Sequence, residues 1–128
     1  MTGNNTLGVL LNGIAQLEYD RNKPLPAHQA AYLEKMDRKM SEEGIDLDGE
    51  HIRTPSPEQC AQFVAANLAS AITHDEEAVA AAMCSWLANR LPELKQVKIE
   101  TQGETRTIDL VFDEDYQKQF AIPLSQIH

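Results

Sequence analysis

The run from Ala78 to Leu91 constrains this chain more than any other stretch. It is rich in alanine, and Val79, Met83, Cys84, Trp86, Leu87 and Leu91 fall on nearly every side of a helix. A helix that is apolar all round is normally surrounded by protein. The segment is therefore expected to be the central pillar of a packed domain, and it holds the only tryptophan. Just ahead of it, Thr73-His74-Asp75-Glu76 has the form of a capping box. In that motif a hydroxyl and a carboxylate three residues on satisfy each other's free backbone N–H groups.

Periodicity upstream of the pillar predicts three more helices. Leu7, Leu10, Leu11, Ile14 and Leu17 recur at steps of three and four, which predicts a first helix from Asn4 or Asn5 to about Asp20 with one apolar stripe. Gly8 and Gly13 weaken such a helix by about 1 kcal/mol each relative to alanine, so it needs a surface to lie against. That stripe is the candidate interface for a protein partner or for a second copy in a homodimer. Two prolines in Lys23-Pro24-Leu25-Pro26 break the pattern. A second helix then runs from about Pro26 to Glu43, with Leu33, Met36 and Met40 on its inner side and Gly44 as its stop. Residues 45–57 read as the principal loop. Ser56-Pro57-Glu58-Gln59 is another capping box, with proline at the first helical position. It opens a third helix that ends near Thr73.

After Pro92 the period changes from 3.6 to 2. Val97 and Ile99 alternate with polar residues, Gln102-Gly103 marks a turn, and Ile108, Leu110 and Phe112 alternate again. Phe120, Ile122 and Leu124 suggest a third strand, with Pro123 placing it at a sheet edge. The expected fold is α+β: about four helices followed by a three-stranded antiparallel β-meander packed on them, in a single domain spanning 1–128. A chain of 128 residues is long enough to bury a core without disulfides or metal.

The formal net charge of −9 disfavours direct contact with phosphate backbones and favours encounter with a basic partner. Acids are spread evenly along the chain rather than gathered in a stripe, which weakens a reading as an acidic nucleic-acid mimic. No run of about 18 apolar residues exists to span a membrane, and the first residues lack the basic region of a secretory signal. The expected location is the cytoplasm.

Candidate chemistry is sparse. Asp46, Asp48 and Glu50 fit the first ligand positions of a calcium loop, but His51 stands where glycine is needed and Pro57 where a bidentate glutamate is needed. Asp75, Glu76 and Glu77 sit where a helix start favours negative charge. His28, His51, His74 and His128 form no metal-ligand spacing with each other or with Cys60 and Cys84. A nucleophile would be Cys60 or Cys84, with His51 of the 45–57 loop as its base; Cys60 lies in the first turn of its helix, where a thiol's pKa falls. There is no Gly-rich phosphate loop, G-x-S-x-G elbow or H-E-x-x-H. The sequence thus points to a non-enzymatic interaction module without cofactor or metal: an adaptor, assembly factor or regulator. The alternative is a small enzyme or small-molecule-binding domain with its site near residues 45–60.

Overall fold

A computed structural model describes residues 5–117. It is α+β, with three helices, a four-stranded mixed sheet and a separate two-stranded sheet. The largest departure from expectation lies at the start. The first helix is instead a β-hairpin of β1 (Thr6–Leu11) and β2 (Ile14–Asp20). Asn12 and Gly13 join the strands with φ of 51° and 84°, the pair of positive values that a type I′ turn demands and that Asn-Gly supplies. The side chains also fit a period of 2: Leu7 and Val9 are fully buried in the core, and Leu11, Leu17 and Tyr19 pack against it. A register shift after Val9, which faces Leu17 while Leu10 faces Ala15, brings the two strands' apolar residues onto the same side.

The turn is tied to the other end of the chain. The Asn12 backbone N–H donates to Ile99 O at 2.8 Å and its side-chain amide to Thr101 Oγ1 at 3.0 Å. Thr101 N–H in turn donates to Asn12 Oδ1 at 2.9 Å. These bonds lead into β5 (Gln96–Gln102), which forms the expected hairpin with β6 (Thr105–Val111). The sheet is not a meander, however. Its order is β2-β1-β5-β6, and β1 lies parallel to β5, with Val9 opposite Val97 and Leu11 opposite Ile99. The third strand expected at 120–124 lies outside the described residues.

Parallel strands need a long crossover, and the helices supply it. α1 (Ala27–Glu43) ends where expected: Gly44 takes φ 75° and its N–H donates to Met40 O at 3.0 Å. The predicted 45–57 loop contains a small hairpin, β3 (Ile45–Leu47) and β4 (Glu50–Ile52). It turns at Asp48-Gly49, again with two positive φ values. α2 (Pro57–Thr73) opens on the expected capping box, with Gln59 N–H bonded to Ser56 Oγ and Ser56 N–H to Gln59 Oε1.

The second capping box does not form. Thr73 is the last residue of α2, and its hydroxyl bonds back to Ser70 O and Ala69 O at 3.0 and 3.2 Å. Asp75 then reverses the chain at φ 55°, and α3 (Glu77–Arg90) starts without a side-chain cap. Nor is α3 enclosed on all sides. Its second half, from Cys84 to Ala88, is buried, whereas Ala78, Val79 and Ala81 are exposed.

Where α3 ends, Arg21 holds the chain. Its guanidinium reaches from the end of β2 and donates to Ala88 O, Leu91 O and Leu94 O at 3.1, 3.0 and 2.7 Å. These are the helix's last carbonyls and those of the turn behind it, which have no partner within the helix. The core lies between α2, α3 and one face of the sheet. On the other face, Tyr116 covers Gly8 and hydrogen-bonds Glu18. Lys98–Glu114 and Lys95–Asp115 contacts, both 2.9 Å, fasten the segment that carries Tyr116. No helix among the described residues is long and apolar enough to cross a membrane.

Candidate functional site

The expected interface stripe is dispersed by the hairpin. Leu7 and Leu10 are buried inside the domain, Leu11 and Leu17 are half-buried, and Ile14, at the tip, is 64% exposed. Of the five, only Ile14 presents most of its surface to a partner.

The proposed nucleophile and base are not assembled either. His51 and Asp46 face each other across the β3–β4 pair, with Nδ1 2.8 Å from Oδ1, and both side chains are largely exposed. The contact is an ordinary cross-strand pair between opposite charges when the imidazole is protonated. Cys60 sits in the first turn of α2, but burial pushes its thiol pKa up and the nearby Asp37 carboxylate pushes it further. Desolvation and a neighbouring negative charge thus both oppose the thiolate that a helix start would favour. Cys84 is still less ionisable: burial raises its pKa to about 12. Among the described residues, no three His, Cys, Asp or Glu side chains converge to hold a metal ion.

A constellation absent from the sequence reading organises the surface instead. Asp37 of α1 takes Trp86 Nε1–H on Oδ1 at 2.7 Å. Its Oδ2 accepts Arg90 Nε–H and Nη2–H at 2.9 and 2.7 Å. The clamp pins the middle of α1 to the second half of α3 and satisfies the indole of a tryptophan that is only 5% exposed. One sequence signal did mark it: Asp37 interrupts the apolar side of α1 formed by Leu33, Met36 and Met40.

Two grooves flank the clamp. The first, about 440 Å³, lies between the C-terminal half of α1 and the start of α2, lined by Met40, Ser41, Thr54, Cys60 and Trp86. His51 is not among its lining residues. The second, about 590 Å³, lies between the first half of α1 and α3. Its floor is Ala78, Ala81 and Ala82, and its walls include Tyr19, Tyr32 and Leu33. Alanine leaves space there because its side chain ends at Cβ, and Leu33 is the only buried side chain in that half of α1. Tyr32 and Val79 stand 47% and 42% exposed. Comparison with protein-family models, curated proteins and solved structures gives no match for this chain.

Proposed function

We propose that this chain is a non-enzymatic protein-interaction module, an adaptor, assembly factor or regulator, that receives a partner's apolar side chains between α1 and α3. The observation that carries the reading is the alanine-floored groove of about 590 Å³ with tyrosines in its wall. Small residues on a helix let another element approach its backbone closely, and tyrosine is favoured at interfaces because it pairs a large apolar body with a polar tip. Three polar side chains elsewhere serve the fold: Asp37 holds Trp86 and Arg90, Arg21 holds three carbonyls, and His51 pairs with Asp46; His28, Gln29 and Ser85 also line the groove and add polar contacts to its apolar wall.

A photocrosslinking amino acid at position 81, in the full chain in its native cell, tests the reading. One discrete protein adduct is expected from position 81, weakened by Tyr32→Ala in the same chain, and none from the same probe at exposed Glu42. Equal background from positions 81 and 42 would remove the reading. A second reading, a small-molecule-binding domain, is favoured by the groove beside Cys60, where hydroxyls of Ser41 and Thr54 sit among apolar side chains. It requires fragment binding that shifts Trp86 fluorescence and is lost in Met40→Lys.

A further inference from the structure

The four-stranded sheet ends on one side in β6, and among the described residues no strand pairs with its outer edge. The β5–β6 turn determines which backbone groups face outward. Gly103-Glu104 is a two-residue loop between the paired residues Gln102 and Thr105, with Gly103 at φ 64°. Such loops are closed by a pair that exchanges both backbone hydrogen bonds. Thr105, Thr107, Asp109 and Val111 therefore aim their N–H and C=O groups at β5, and Lys95 N–H indeed donates to Val111 O at 2.8 Å. Arg106, Ile108 and Leu110 aim theirs away from the domain. The strand contains no proline, and its register with β5 runs unbroken from Val111 to Thr105. It thus lacks two devices by which natural edges avoid pairing.

We propose that β6 pairs antiparallel with β6 of a second copy of this chain, about a two-fold axis through Ile108, joining the two sheets into one. The outward-facing residues are symmetric about that axis. Ile108 meets the partner's Ile108 and Arg106 meets the partner's Leu110, each pair exchanging both backbone bonds. The core-facing row agrees with this register. Ile108 and Leu110 pack on the core yet remain half-buried, because no strand among the described residues lies beyond the edge. A second copy would cover them with Ile108 and the methylene stem of Arg106. The opposite face is also complementary, since exposed Thr107 falls across from the partner's Asp109, a hydroxyl donor against a carboxylate. Lys98 lies directly opposite Asp109 within each sheet, with its ammonium held by Glu114. One strand per copy is a small interface, so the dimer is a weak one.

The register makes two exposed substitutions act in opposite directions. Thr107→Lys places an ammonium against the partner's Asp109 twice per dimer, and Thr107→Asp places like charges there. Sedimentation equilibrium of the full chain from about 1 µM to about 1 mM covers the range for such an interface. A reversible dimer is expected, tightened at least about threefold by Thr107→Lys and weakened at least about threefold by Thr107→Asp. Ile108→Pro, which removes an outward N–H and part of the Ile108 packing but no bond to β5, should give monomer; if it does not fold, the Thr107 pair decides alone. A strict monomer across the range, or a dimer that the two Thr107 variants leave unmoved or shift in the same direction, overturns the proposal.

Discussion

Replacing Arg21 by methionine should cost about 3 kcal/mol of stability. Methionine keeps the apolar stem but abandons Ala88 O, Leu91 O and Leu94 O. A hydrogen bond from a charged donor contributes about 1.5 kcal/mol or more, so three lost outright come to about 4.5 kcal/mol. Two effects reduce that figure. Leu91 O keeps the Leu94 N–H, at 3.0 Å, once the guanidinium is gone. Burial also disfavours the charged guanidinium, as its lowered pKa records, and that penalty disappears with it. Arg21→Lys should lose about half as much, because a point charge cannot fork across three acceptors. Urea unfolding followed by Trp86 fluorescence and far-ultraviolet circular dichroism measures both variants. The acceptors are neutral, so the loss should persist in high salt. A methionine variant within about 0.5 kcal/mol of the parent, the range of ordinary surface changes, would refute the reasoning.

Further outcomes follow from the same geometry. Gly8→Ala drives a methyl group into the Tyr116 ring; displacing that ring should cost about 2 kcal/mol and lower the melting temperature by several degrees, and an unchanged melting temperature would show that Tyr116 is not seated there. Asn12→Ala forfeits a residue suited to positive φ and both side-chain bonds to Thr101, an expected loss of about 2 kcal/mol in chemical denaturation; an effect under about 0.5 kcal/mol would contradict it. The Cys84 thiol, with its pKa raised to about 12, keeps its proton in the folded state where the unfolded chain has released it. Its contribution to stability is therefore complete below about pH 8.5 and is lost as pH climbs toward 12. Native alkylation of Cys84 should accordingly stay slow at pH 9, and labelling as fast as in the unfolded chain would overturn the assignment.

Much of the fold was legible wherever one local signal stood alone. Gly44 marks the end of α1, Ser56 and Gln59 open α2, and the alternation from Val97 to Leu110 gives β5 and β6. The N-terminal hairpin was obscured because Leu7, Leu11 and Leu17 fit a helical stripe as well as one face of two strands. Asn12-Gly13 was the deciding signal, as Asp48-Gly49 was for β3 and β4. Thr73 failed as a cap because its hydroxyl found carbonyls of its own helix, a choice between neighbours that local sequence leaves open. The grooves were less accessible still. They depend on Asp37 meeting Trp86 and Arg90, residues 49 and 53 positions away, and only the tertiary path of the chain brings these together. His51 and Cys60 are closer in sequence, yet the β3–β4 pairing commits His51 to Asp46.

The parallel seam between β1 and β5 also governs the order in which the molecule can be completed. Translation delivers Gly8 to Leu11 long before Gln96 to Ile99, their partners in the sheet. A nascent chain paused after α3 holds a two-stranded ribbon whose inner margin is still open, and such ribbons are at best marginally stable in water. Closure waits for the last hairpin to emerge and slide in beside the first. Partly folded forms of this protein should therefore expose Val9 and Leu11 until β5 docks beside β1, and then bury them in one step.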